Sequence, residues 1–154
     1  MRKMRRSDRQ TSTEDAYKFL NQADYGTLST ISEEGYPHAV ALNHVYYNNY
    51  IYVHCAKTGF KIDNIDHNNN VCFSVVAHAE VDQANYTTKY KSTIVYGKAY
   101  IVEDKKETKE ALYQLSKRHV GKFISKVKAE IASAINKTYV IRIAIEDIKG
   151  KSNI

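Results

Sequence analysis

Six stretches of this chain alternate apolar and polar residues with a period of two, and the first two connections between them are too short for a crossover helix. The predicted strands are Tyr25 to Ile31, Pro37 to about Tyr47, Tyr50 to Cys55, Val71 to His78, Ser92 to Val102 and Tyr139 to Ile148. Short links make neighbouring strands run antiparallel. The expected fold is therefore mainly β with α additions: an antiparallel barrel of about six strands with flanking helices, rather than a βαβ sheet.

The intervening segments support this. Ser12 or Thr13 can cap a helix that places Ala16, Phe19, Leu20 and Ala23 on one face. Glu33-Glu34-Gly35 reads as a turn, and Asn48-Asn49 suits a tight hairpin because asparagine tolerates positive φ. Thr58 to about His67 is a short predicted helix burying Phe60, Ile62 and Ile65, ended by three asparagines. Gly97 interrupts the fifth strand, where a bulge or sharp bend is expected. Lys105 to His119 carries a narrow apolar stripe of Ala111, Leu112 and Leu115. A further helix through Ile124, Val127, Ile131 and Ile135 follows a break at Gly121.

A length of 154 residues suits one domain with a real core. We place it at residues 12–154, preceded by a basic arm over 1–11. No apolar run approaches the roughly 20 residues needed to cross a bilayer, and the basic start has no apolar segment behind it. A soluble, cytoplasmic protein with no membrane partner is expected. Cys55 and Cys72 have no metal-type spacing, so neither a disulfide scaffold nor a metal site is expected. The net charge of +6 is concentrated in the arm, where Arg2, Lys3, Arg5, Arg6 and Arg9 face only Asp8. With the body nearly balanced, nucleic acid is not an expected partner, and the tyrosines lie where a tryptophan-free core would use them.

Two segments carry candidate chemistry. From Ile51 to Lys61, a β-branched and aromatic run empties into a helix start flanked by Lys57 and Lys61, with Thr58-Gly59 between them. Amide N–H groups without intrahelical partners, the helix dipole and two ammonium groups together make a plausible seat for a phosphate. Thr58 could cap the helix or donate through its hydroxyl. The spacing lacks the glycine density of a P-loop, and solvated lysines are the plainer alternative.

In the second strand, His38, Val40, Leu42 and His44 face one way and Ala39, Ala41 and Asn43 the other. Small residues on one face allow a flat ligand to approach the main chain, although alanines also mark close helix packing. His54, at the strand end before the seat, could stabilise a developing anion or donate a proton, and is the candidate catalytic residue. A hydrogen-bonded structural histidine fits the pattern equally well. His67, His78 and His119 show no ligand spacing and receive no role. No hydrolytic constellation is legible.

Several blocks in order resemble the pyridoxamine 5'-phosphate oxidase-like flavoproteins, and among them the branch named for nitroimidazole resistance. These are Met4 to Arg9, Gly35 to Asn43, Ile51 to Asp63, Ser92 to Ala99, and the closing strand from Ile141 with its Gly150-Lys151 ending. The resemblance implies a split β-barrel that forms a homodimer and holds FMN, or FAD or another flavin, in two clefts at the subunit interface. It implies that His38, Ala39, Val40, Ala41, Leu42 and Asn43 line the flavin ring, largely through main-chain groups. His54, Cys55 and Lys61 would follow the ribityl-phosphate side, with Ser92 completing it. Lys57 and Thr58 join this set from the charge and capping argument.

The implied activity is an FMN-dependent oxidoreductase that reduces a nitroaromatic, nitroimidazole or quinone, with a small-molecule redox substrate and NAD(P)H as donor. The alternative is a non-catalytic flavin- or haem-binding or sensing module. Two positions depart from the family pattern: Cys55 stands where a hydroxyl is common, and Phe60 where relatives often carry histidine or arginine. Residues that would fix a pyridoxine-type substrate are not recognisable, which argues against vitamin B6 oxidation.

Overall fold

A computed structural model describes residues 3–154; the first two residues of the basic arm lie outside the described residues. After a 3-10 turn at Ser7–Arg9 come α1 (Thr13–Gln22), β1 (Tyr25–Ile31), β2 (Pro37–Asn43), β3 (Val45–Tyr47), β4 (Tyr50–Ala56) and α2 (Phe60–His67). Then follow β5 (Asn70–Asp82), β6 (Thr87–Ile101), α3 (Lys105–Val120), a 3-10 turn at Gly121–Phe123, α4 (Ile124–Ala134) and β7 (Thr138–Ser152). All seven strands join one sheet in the order β2-β1-β5-β6-β7-β4-β3, antiparallel at every pairing. The sheet curls into a split half-barrel in which the β2 edge comes back near β4.

The concave side holds the main core. Leu28, Ile51, Val53, Phe73, Val95, Ile141 and Ile143 are fully buried there, joined by Leu20 of α1 and by Ile62 and Ile65 of α2. Each such side chain contributes about 1.5–3 kcal/mol relative to exposure. A second core lies on the other side of β3, β4 and β7, where Val45, Tyr52 and Val140 meet Leu112, Leu115, Val127 and Ile131 of α3 and α4. A polar clamp holds this helix pair to the sheet. Glu107 of α3 accepts hydrogen bonds from the Tyr52 hydroxyl at 2.8 Å and from Arg142 of β7 at 3.0 and 3.1 Å. The Arg142 guanidinium also lies 5.0 Å from the Tyr50 ring centroid.

Two expectations are revised. The second strand is two strands, because the chain turns inward at His44, which is fully buried with its ring nitrogen 2.8 Å from the Leu20 carbonyl oxygen. The fourth and fifth strands extend beyond their apolar stretches into a β5–β6 ribbon that turns at Tyr86, where φ is 51°. Polar residues suffice there because the ribbon projects past the core, held by the backbone ladder and the Lys89–Asp82 ion pair. The basic arm also docks. Its Gln10 bridges to Lys151, and Arg9 donates to the Tyr90 hydroxyl at 3.3 Å.

The expected irregularity at Gly97 is present as a register shift between Tyr96 and Gly97. A Cβ on Gly97 would lie 2.0 Å from the Ala144 carbonyl oxygen, a backbone atom that cannot rotate away. Gly97→Ala should therefore lower stability by about 3 kcal/mol. Gly121→Ala, at a φ of 33° with open space around the new methyl, should cost about 1 kcal/mol. Urea unfolding of both variants tests this, and equal losses at the two sites would remove the steric explanation.

Candidate flavin site

The expected alternation in β2 holds: His38, Val40 and Leu42 are half-buried, and Ala39, Ala41 and Asn43 are exposed. As the end strand of the sheet, β2 pairs, among the described residues, only with β1. Ala39 sits opposite Ser29 and Ala41 opposite Thr27, and the same rows continue through Cys72 to Tyr96 and through Ser74 to Ile94. Most residues in these two rows are small. The outer face contains a shallow hollow of about 280 Å³ bordered by Ser29, Ile31, Pro37, Cys72, Tyr96 and Glu146.

The start of α2 lies beside this strand. Gly59 occupies the N-cap with φ 125°, a conformation that favours glycine, and no side chain caps the helix. Thr58 is therefore not the cap that the sequence suggested. Phe60, the first helical residue, meets His38 of β2 with ring centroids 5.7 Å apart. The two predicted site segments are thus brought into contact. Behind them, the Asn64 amide donates to the Thr30 hydroxyl at 2.9 Å, and that hydroxyl donates to the His38 carbonyl at 3.4 Å. Sequence reading missed Asn64 and Thr30; the only available signal was a polar residue at the buried Asn64 position beside Ile65.

Both lysines gather around one rung of the sheet, in which Cys55 pairs with Tyr139. The Lys57 ammonium lies 5.1 Å from the Tyr139 ring centroid. Burial pushes the Cys55 thiol pKa up, and the nearby Lys61 charge opposes that rise. The Cys55 side chain points into the main core, so only its main chain is available to a ligand.

His54 faces the opposite side of β4. It borders a cavity of about 380 Å³ with Asn43, Leu115, Ser116, His119 and Ala134. The ring keeps an exposed edge, yet partial burial, and to a lesser degree His119, hold its pKa below the ordinary histidine value. His119, given no role from its spacing, donates from Nε2 to the His44 carbonyl at 3.0 Å and so anchors α3 beside this corner. Ser92 stands apart within the chain. It pairs with Val76 and Lys151, near a cluster in which Arg9 and Lys151 flank the Tyr90 ring at 6.0 and 5.3 Å. Among the described residues, no group of three or more His, Cys, Asp or Glu side chains could hold a metal ion.

The profile of the family described as pyridoxamine 5'-phosphate oxidase matches residues 12–152. The chain belongs to that family. Among solved structures, a Bacteroides thetaiotaomicron protein provisionally designated a 5-nitroimidazole antibiotic resistance protein is 25% identical, with a TM-score of 0.77, covering 91% of this chain and 83% of that one. A FAD-binding protein from Mesorhizobium loti is 24% identical, with a TM-score of 0.70 over 95% of this chain and 98% of the other. The FAD and heme binding protein from Mycobacterium smegmatis shares the fold at 15% identity, with a TM-score of 0.80 over 94% and 73% of the two chains. No functionally curated protein matches the sequence. Among the described residues, no helix of this pyridoxamine 5'-phosphate oxidase family member is long and apolar enough to cross a membrane.

One titration in this family member is tied to the corner that carries the site. Burial lowers the His44 pKa to about 4, against the Leu20 hydrogen bond, which raises it, and with Arg118 and His119 adding repulsion. The neutral ring donates from Nε2 to Leu20, and among the described residues its Nδ1 has no partner. An unfolded chain takes up this proton near pH 6.5. Between the two values the unfolded state holds the extra proton. The contribution is therefore complete above about pH 6.5 and declines as pH falls towards 4, by roughly 3 kcal/mol. His44→Gln keeps an N–H for the Leu20 carbonyl and should flatten that part of the stability curve in urea unfolding. An unchanged slope would assign the titration to another group.

Proposed function

We propose that this chain is a flavin-dependent oxidoreductase. In this reading the flavin ring rests on the outward face of β2 between Ala39 and Asn43, and its phosphate sits at the start of α2. The observation that carries it is the His38–Phe60 contact, which sets an uncapped helix start with Lys61 beside it against the half-buried side of an edge strand whose other side presents small residues. The residues fit such a ligand. Exposed Ala39 and Ala41 leave room for a flat ring against the backbone, and the outer edge of β2 offers main-chain N–H and C=O groups to it. Lys61 and Lys57 supply charge-assisted hydrogen bonds to a phosphate. FMN is the smallest flavin that would use both parts.

When bound, a flavin supplies hydride and electron transfer; the protein contributes binding, orientation and exclusion of water. His54, whose pKa burial holds below the ordinary histidine value, lines the cavity beyond Asn43, where it can accept or return a proton at its imidazole nitrogen. A nitroaromatic such as a nitroimidazole fits as electron acceptor, by likeness to the Bacteroides relative, with a nicotinamide donor. Two copies meeting on the outer sheet face would enclose two flavins, and Ser92 on a second copy would complete each site. The free thiols of Cys55 and Cys72 suit a cytoplasmic, reducing setting.

A non-catalytic flavin or haem carrier is the second reading, favoured by the FAD and heme binding relative from Mycobacterium smegmatis. Reduction of the protein-bound flavin by a nicotinamide donor, followed by reoxidation with a nitroimidazole, supports the enzyme. A bound flavin that neither reagent changes supports the carrier.

Titration with FMN should quench flavin fluorescence. Lys61→Ala should weaken FMN about 10- to 100-fold, in line with a lost charge-assisted hydrogen bond of roughly 1.5–3 kcal/mol, while leaving riboflavin nearly unchanged. Equal weakening of both ligands would remove the phosphate from Lys61, and no quenching by either would reject the flavin reading.

A further inference from the structure

An apolar tip ringed by cations stands at the turn joining α3 to α4. From residue 111 to 129 the chain has five basic side chains, Lys117, Arg118, Lys122, Lys126 and Lys128, and no acidic one. The body of the protein is otherwise nearly balanced in charge. Within this stretch Phe123 is 65% and Val120 41% exposed. A lone exposed apolar side chain is ordinary; what distinguishes this pair is the acid-free surround.

Arg118 is taken up inside the protein, where it donates to the carbonyls of Asn21 and Ala23. The four lysines are exposed, and among the described residues none of them makes a side-chain hydrogen bond or ion pair within the protein. Lys117 lies one helical turn before Val120, Lys126 about one turn after Phe123, and Lys122 between them. Three ammonium groups therefore collar the apolar pair. Arg118 and His119 fix the end of α3 to backbone at Asn21, Ala23 and His44, so the tip is held in place without a ligand.

Lysine attracts both nucleic acid and anionic lipid, and the apolar part decides between them. Binding of single strands uses aromatic rings arrayed along a groove. Here one ring stands beside an aliphatic side chain at the end of a helical hairpin, and the arginine of the stretch is occupied. Aromatic and aliphatic side chains within a lysine collar match the headgroup boundary of a bilayer, where the apolar groups enter and the ammonium groups meet lipid phosphates. The expectation of no membrane partner rested on the lack of a spanning run, which excludes crossing and not attachment to the surface.

We propose that the α3–α4 turn docks on a membrane surface rich in anionic phospholipid, with Phe123 and Val120 in the headgroup boundary and Lys117, Lys122 and Lys126 drawn to the lipid phosphates. The proposal is independent of the flavin reading. Because Val120 also borders the cavity beside His54, docking sets that cavity at the bilayer surface.

The test is co-sedimentation of the full-length protein with vesicles. Binding is expected to phosphatidylcholine mixed with phosphatidylglycerol, with little to phosphatidylcholine alone, and it should fall at high salt. Lys122→Gln with Lys126→Gln should weaken it about 25-fold, from roughly fivefold per lysine near an anionic surface. Phe123→Ser should weaken it about tenfold or more. Lys3→Gln with Arg5→Gln, in the exposed arm, should change it much less. The chain has no tryptophan, so Phe123→Trp places a single reporter in the tip. Its emission should shift to the blue when the mixed vesicles are added and be quenched by brominated lipid. All the substituted residues are exposed, and thermal unfolding of each variant checks that the fold is kept. No binding to the mixed vesicles, an equal loss from the arm pair, or binding without a shift in emission would overturn the proposal. So would a tryptophan already shielded before vesicles are added and unchanged by them, which would assign the tip to a second copy of the chain.

Discussion

The buried hydrogen bond from the Asn64 amide to the Thr30 hydroxyl decides where everything else in the site stands. It fastens α2 to β1 at one azimuth, and that azimuth puts Phe60 on His38 and brings Lys61 towards the Cys55 rung. Leaving either partner unpaired at this depth costs about 1–3 kcal/mol, a large share of the stability of a small domain. The geometry at the α2 start is therefore set by the core. No side chain caps the helix at that end, and its first amides remain available to a ligand.

Much of the fold was legible because alternation and turn chemistry are local. Asn48 and Asn49 take φ values of 50° and 66°, Ser12 caps α1, and Gly97 marks the bulge, each for the reason its residue type suggests. The site was legible in part. The β2 alternation and the lysine-flanked helix start could be read from periodicity, but their meeting at His38 and Phe60 depends on how the sheet curls. The inward turn at His44 was hidden because histidine fits either face of a strand, and only the Leu20 carbonyl made burial favourable. Cys55 and His54 looked equivalent as neighbours at a strand end. The pleat sends one into the core and the other to the cavity below α3 and α4.

The helix pair α3 and α4 plays a different part from α1 and α2. It lies outside the barrel, held by its own apolar cluster and by the Glu107 clamp to Tyr52 and Arg142. Burial and the Glu107 contact both push the Tyr52 hydroxyl pKa up, so the hydroxyl stays a donor across the physiological range. At the far end, Arg118 donates to the carbonyls of Asn21 and Ala23 at 2.6 and 2.5 Å, and His119 to that of His44. The pair is thus tied at one end to side chains of β4 and β7 and at the other to backbone leading into β1 and out of β2. The cavity beside His54 is roofed by an element whose packing does not depend on α2, so its shape can vary without disturbing the start of α2.

An edge strand with exposed alanines and an uncovered sheet face is a liability for a lone chain, because unpaired N–H and C=O groups invite promiscuous pairing. β2 carries few of the usual protections: Pro37 blunts one end, and no lysine lies along it. The basic residues collect instead at the Arg9, Tyr90 and Lys151 cluster on the neighbouring part of the outer face. On the proposed reading this distribution has a physical logic. A second copy turned by a two-fold axis would cover the small-residue rows, and a flavin between the copies would take up the main-chain groups of β2. The surface that is poorly protected in one chain is then the surface that the ligand and the partner require.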